Sequence, residues 1–143
     1  MSDDKIYHDR LVALARAADG HGALDRPTGA ATLDNPLCGD RVTVEVEVAD
    51  GKVAAVAHDV RGCILCEAAA AAIGRHAPGA DVTGLLAVIE AMPPTLTAEP
   101  APPPPWPELE CFRPVRKVKS RHRCVTLPFE ALREALKKSA GSF

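Results

Sequence analysis

The run Arg41-Val42-Thr43-Val44-Glu45-Val46-Glu47-Val48-Ala49-Asp50-Gly51-Lys52 decides the fold of this chain. Val42, Val44, Val46 and Val48 alternate strictly with Arg41, Thr43, Glu45 and Glu47, the pattern of a strand with one buried face. Asp50-Gly51 is a strong signal for a two-residue hairpin turn, so Lys52 to Val60 should return antiparallel beside the first strand. A hairpin brings its two outer ends together. Here those ends are Asn35-Pro36-Leu37-Cys38-Gly39-Asp40 on one side and Arg61-Gly62-Cys63-Ile64-Leu65-Cys66 on the other.

These flanks, with Arg121-His122-Arg123-Cys124, hold four of the five cysteines. Each cysteine falls where the chain changes structure, and the ends of elements are where sites are usually assembled. Cys38-Gly39-Asp40 offers a thiol and a carboxylate two residues apart, and Gly39 is free to take backbone angles that aim both at one centre. Two further thiols from distant segments would complete a four-donor shell, which suits tetrahedral zinc or the iron of an iron–sulfur cluster. A single buried cysteine is equally well a small hydrophobe, and spacing of this kind is a moderate signal.

Outward from the hairpin, Tyr7, Leu11, Leu14 and Ala18 fall on one face of a first helix. Ser2, Asp3 and Asp4 offer to cap it and Gly20 and Gly22 end it. His8 and His21 lie near its ends and read as solvated polar residues rather than ligands. The small, polar stretch from Ala23 to Asp34 reads as a loop. Cys63 to Arg75 is Ala-rich and reads as a helix with Cys63 in its first turn, where the positive end of the helix dipole favours a thiolate. Cys66, three residues on, shares that helix face.

Asp81 or Thr83 would cap a further helix carrying Leu85, Leu86, Ile89 and Met92, with Pro93-Pro94 expected to stop it. The segment 93–107 holds eight of the thirteen prolines, so it should be an extended, polyproline-like surface loop. Glu108 to Phe112 reads as one helical turn with Leu109 and Phe112 inward, and Cys111 within it as structural. Pro128 suits the first position of a last helix, whose apolar face is Phe129, Leu132 and Leu136. The expected fold class is α+β: one domain over residues 1–143, a small antiparallel β-sheet packed on one side by helices.

Composition narrows the functional classes. The odd cysteine count and the acidic, polar start MSDDK do not suggest a secreted disulfide scaffold, and a reducing, cytoplasmic setting is the expectation. No apolar run approaches the ~20 residues that span a bilayer. A net charge of −2 argues against nucleic acid as a main partner. With 3% aromatic residues, the core must rest on Val, Leu, Ile and Ala.

At NPLCGD, the Gly62-Cys63 junction and RHRCVTLPFEAL the chain resembles the U-type iron–sulfur assembly family of IscU, SufU and the amino-terminal domain of NifU. The resemblance spans nearly the whole chain and is strongest to the SufU branch, in the long segment before the last cysteine, in Arg121 and in CVTLPFEAL. It implies the SufE/IscU-like fold and a centre formed by Cys38, Asp40, Cys63 and Cys124. It also implies that Arg121 pairs with Asp40 and that Cys38 accepts sulfur. Two departures stand out. Arg116-Lys117-Val118-Lys119 replaces the Leu-Pro-Pro-Val-Lys chaperone motif of the IscU branch, and Cys66 stands where relatives carry a small or hydroxyl residue. Cys66 is therefore an extra ligand, a persulfide relay or a buried thiol.

Three functions fit these residues. In the first, a zinc-dependent sulfurtransferase of the SufU kind takes sulfur from the persulfide of a SufS-like cysteine desulfurase. In the second, a scaffold builds a transient [2Fe–2S] cluster from iron and sulfide and hands it to apo iron–sulfur proteins or cluster carriers. In the third, zinc is structural and the domain is an interaction module; an aspartate donor weighs against this, because permanent structural zinc sites usually use Cys and His.

Overall fold

The computed structural model describes residues 2–140, with side chains from residue 5 onward. Ser2, Asp3 and Asp4, expected above to cap the first helix, have side chains outside the described residues. The element order is α1 (Ser2–Ala17), β1 (Gly29–Asn35), β2 (Asp40–Ala49), β3 (Lys52–Arg61), α2 (Ile64–His76), α3 (Val82–Thr97), a 3-10 stretch (Pro107–Lys117), a 3-10 turn (Lys119–Arg121) and α4 (His122–Ala140).

The hairpin forms as the alternation dictates. Asp50 and Gly51 take φ of 54° and 74°, both left-handed, as a two-residue turn that matches strand twist requires. Val42, Val44 and Val46 are fully buried on the helix side. On the open face Thr32 and Thr43 share a 2.8 Å hydrogen bond between strands. The sheet is three-stranded and antiparallel in the order β1-β2-β3. α4 lies against β1 and β2, α2 against β3 and α4, and α1 against α2. The unbroken buried run Ala68 to Ala72 is what lets α2 sit between its neighbours: small side chains permit close approach of helices on several sides. Among the described residues no helix is long and apolar enough to cross a membrane.

Three elements differ from the expectations. The segment read as a loop up to Asp34 contains β1, paired with β2 from Gly29↔Val46 to Asn35↔Asp40. Its weak local signal is overridden by the free edge of β2 and by cover from α4. Contact there is so close that a Cβ on Gly29 would collide with the carbonyl oxygen of Ala135 and come within 2.7 Å of the Ser139 nitrogen.

α3 does not stop at Pro93-Pro94 but runs to Thr97. Burial of Leu96, one turn beyond Met92, carries it on. The Arg116 guanidinium donates to the Thr95 and Ala98 carbonyls, satisfying acceptors that a helix end leaves open. Only 98–106 of the Pro-rich segment is irregular, and its far end is held by Trp106, stacked on His76 at 4.4 Å.

The last helix begins at His122, six residues before Pro128, which lies inside it. Pro128 withholds the N–H that an α-helix would direct at the Cys124 carbonyl. Complete or near-complete burial of Val125, Leu127 and Phe129 outweighs that loss and draws Cys124 into the first turn.

Gly29→Ala should destabilise the protein by about 1–3 kcal/mol, the scale of overpacking a tight contact. Thermal unfolding followed by circular dichroism, with Thr32→Ala on the exposed face of the same strand as control, checks this; equal melting temperatures would contradict the close β1–α4 contact.

Candidate metal centre

β1 and β2 are joined by only Pro36 to Gly39, and the register closes on the pair Asn35↔Asp40. Asn35 is buried, and its carbonyl accepts from the N–H groups of Cys38 at 3.2 Å and Gly39 at 2.8 Å. Gly39 completes this turn with φ of 73°, a conformation that suits glycine. The turn leaves Cys38 exposed and Asp40, at the start of β2, only 2% exposed.

Arg41 lies opposite Arg61 in the β2–β3 register, so Gly62 and Cys63 emerge beside Asp40. Cys63 is the residue ahead of α2. Its N–H donates to Asp40 Oδ1 at 3.0 Å and its thiol lies 3.8 Å from Asp40 Oδ2. A buried carboxylate must be hydrogen-bonded, and the N-terminus of a helix is a favourable place for it. Gly62 makes room: a Cβ there would collide with Asp40 Oδ1 and lie 2.8 Å from its Cγ. Nothing local in the sequence marks this role, because the contact exists only once the hairpin has closed.

The third residue of α4 completes the cluster. Cys124 is fully buried and its Sγ lies 3.5 Å from Cys38 Sγ. Among the described residues, Cys38, Asp40 and Cys124 form one cluster whose donor atoms all lie within 4.8 Å of one another. Cys63 adjoins it through Asp40. Two sulfurs on one zinc ion with bonds of ~2.3 Å stand roughly 3.8 Å apart in a tetrahedron, close to the Cys38–Cys124 separation. Cys38, Asp40 and Cys124 therefore fit a thiophilic ion with little movement, while Cys63 lies outside that group.

The electrostatics favour a cation at this point. The Cys124 thiol is pushed well above its ordinary value, first by burial, then by its contacts with Cys38, Asp40 and Cys63. Burial likewise pushes up the Cys66 thiol, with Asp40, Cys63 and Cys38 adding to it. A metal ion inverts this balance, because it stabilises the thiolates that crowding disfavours.

The remaining candidates lie outside the group of Cys38, Asp40 and Cys124. Cys66 is fully buried among the core side chains of α2. Cys111 is 3% exposed in the 3-10 stretch, and its thiol is pushed up to about 12 by burial and then by Glu108. Arg121 is exposed at the end of the 3-10 turn and forms no ion pair with Asp40 among the described residues, while Arg123 pairs with Glu130 at 3.3 Å. His8 is exposed, and His21 lies 3.9 Å from Asp59 with its ring edge-on to His58 at 6.2 Å.

Comparison with known proteins gives consistent matches. The family described as NifU-like N terminal domain matches residues 6–92. The iron–sulfur cluster assembly scaffold protein IscU of Streptococcus pyogenes serotype M1 is 29% identical over 146 aligned positions, covering 99% of this chain and 91% of the relative. The protein of the same name from Thermotoga maritima is 25% identical, covering 93% and 94%. A crystal structure of a nitrogen-fixing NifU-like protein (N-terminal) from Brucella abortus superposes with a TM-score of 0.89 at 32% identity, over 100% of both chains. A putative scaffold protein for the SUF system from Fervidobacterium islandicum AW-1 shares the fold, with a TM-score of 0.79 at 20% identity over 90% and 95% of the two chains.

Two measurements check this geometry. Iodoacetamide at neutral pH should label Cys38 first in metal-free native protein, and reach Cys66 and Cys111 only after unfolding, as peptide mapping by mass spectrometry would show. Labelling of Cys111 ahead of Cys38 would contradict the burial pattern. Gly62→Ala should force Asp40 aside and weaken zinc retention by about 10–100-fold in a chelator competition, the scale seen when supporting contacts of a metal ligand are lost.

Proposed function

Because this chain belongs to the family of NifU-like N-terminal domains, we propose that it works in iron–sulfur cluster assembly, taking sulfur at Cys38 from the persulfide of a SufS-like cysteine desulfurase. The observation that carries this reading is the graded exposure of the donors: Cys38 is exposed, Cys63 half-buried, and Asp40 and Cys124 buried. An incoming sulfur meets Cys38 first.

The step balances without an added oxidant. The Cys38 thiolate attacks the outer sulfur of the donor persulfide and a new S–S bond forms on Cys38. The donor's S–S bond breaks, its cysteine leaves as a thiolate, and the transferred sulfur keeps its proton. Exchange of this kind needs the attacking thiol ionised. A zinc ion held by Cys38, Asp40, Cys63 and Cys124 would supply the positive charge that keeps these thiols as thiolates. Asp40 is the hardest donor among soft ones and the one that yields most readily. Its Oδ1 already accepts from the Cys63 N–H, so the carboxylate has a second partner in place. Arg121, three residues ahead of Cys124, is exposed and is assigned no part in holding that carboxylate. Cys66 is assigned no ligand role.

A second reading shares the same donors. The relatives from Streptococcus pyogenes and Thermotoga maritima are named as scaffold proteins, which supports assembly of a [2Fe–2S] cluster at these residues as cargo for apo iron–sulfur proteins. Metal analysis and a visible spectrum of anaerobically purified protein separate the two. Colourless protein with one equivalent of zinc supports sulfur transfer; brown protein with iron and sulfide supports the scaffold.

Asp40→Ala should keep metal on the three remaining thiols yet slow sulfur acceptance from the desulfurase about 10-fold, the scale for altering a metal's surroundings. Cys38→Ser should abolish acceptance and Cys111→Ser leave it unchanged. Mass spectrometry of the persulfidated protein reads all three, and transfer by Asp40→Ala at the wild-type rate would remove the role given to that carboxylate.

A further inference from the structure

Four large apolar side chains stand exposed among the described residues: Ile6, Leu37, Ile64 and Val118. Three of them belong to the segments that build the centre. Leu37 precedes Cys38, Ile64 follows Cys63, and the Val118 carbonyl accepts from Arg121 at 2.9 Å in the turn that leads to Cys124. Scattered single hydrophobic residues on a surface need no explanation. One on each of the three segments around a reactive centre is a different arrangement.

Leu37 is the extreme case, at 95% exposure. Its position is fixed by the chain on either side of it, since the buried Asn35 accepts hydrogen bonds from Cys38 and Gly39 across the turn. The apolar tip is thus held outward on a short, hydrogen-bonded link, the pre-organised state that favours docking. Charge adds a second requirement. Arg61 and Arg121 are exposed and form no ion pair among the described residues, whereas Arg41, opposite Arg61 in the register, is engaged by Asp34 at 2.7 Å.

We propose that Leu37, with Ile64 and Val118, is the apolar anchor by which the sulfur-donating protein docks. It seats in an apolar socket on that partner, edged by carboxylates that face Arg61 and Arg121. This rests on the reading that Cys38 receives sulfur from a protein persulfide. The occupant follows from position: Leu37 is one peptide unit, about 3.8 Å between Cα atoms, from the accepting residue, so a protein that reaches Cys38 must cover it. A second copy of this chain would set the same cations against each other.

The test compares two sulfur donors on the metal-loaded protein. Leu37→Asp should weaken binding to the persulfide-loaded cysteine desulfurase of the same organism by roughly 10-fold or more, as loss of an interface anchor does. Its rate of sulfur uptake from glutathione persulfide, which has no docking surface, should match wild type. Arg61→Glu should weaken the same binding and flatten its salt dependence. If wild type takes sulfur from the desulfurase and Leu37→Asp binds within about 2-fold of it, the docking proposal alone falls. If wild type takes sulfur from neither donor, the functional reading falls and the docking proposal with it. Self-association of wild type that Leu37→Asp abolishes would make a second copy the occupant and overturn the assignment.

Discussion

The centre depends on one buried hydrogen bond, from the N–H of Cys63 to the carboxylate of Asp40 at 3.0 Å. The carboxylate of a residue only 2% exposed cannot be left without partners, and this contact ties the start of β2 to the start of α2. It exists because the hairpin register places Arg41 opposite Arg61, so the next residue outward on each strand meets across the end of the sheet. Gly62 is the condition for it, since any side chain there would occupy the space of the carboxylate. The start of β2 and the start of α2, 23 residues apart in sequence, are in this way fixed to within hydrogen-bonding distance beside the clustered thiols.

Around that fixed pair the donors are arranged by depth. Cys124 is fully buried in the first turn of α4, whose packing against β1 and β2 is among the most extensive helix–sheet contacts in the molecule. Cys38 stands outside on a short turn and touches Cys124 sulfur to sulfur at 3.5 Å. Burial on one side holds the geometry; exposure on the other admits a reactant. A centre closed on all sides would serve structure alone, and one exposed on all sides would hold its thiols too loosely to pre-organise them. The apolar and basic residues on the segments at the open side, Leu37, Ile64, Arg61 and Arg121, are all exposed.

The second half of the chain supports this arrangement from behind. Continuation of α3 through Pro93-Pro94 places Leu96 in the core, and Arg116 takes up the carbonyls at the end of that helix. The 3-10 stretch buries Leu109, Cys111, Phe112 and Val115, filling the space between α1 and α3. Trp106, stacked on His76 and near Phe129 at 5.8 Å, anchors the irregular segment to α2 and α4. Cys111 is part of this filling. Its thiol, raised to about 12 by burial, is a hydrophobe in effect.

The sequence by itself determined the elements whose signals are local. Alternation at Val42 to Val48, the Asp50-Gly51 turn and the Ala-rich run after Cys63 each act over a few residues, and hairpin closure follows from them without reference to the rest of the chain. Two of the three cysteine segments were therefore legible as neighbours, and the α+β class with them. What only the tertiary structure decided is where a weak local preference is overruled by burial elsewhere. Gly29–Asn35 becomes a strand because β2 has an edge to pair and α4 covers it. α4 starts at His122 rather than Pro128 because Val125, Leu127 and Phe129 gain more from burial than the proline costs. The space that Gly62 leaves for Asp40, and the contact of Cys124 with Cys38 across 86 residues of chain, are non-local. They depend on close packing of several elements at once, and no window of sequence contains the atoms that decide them.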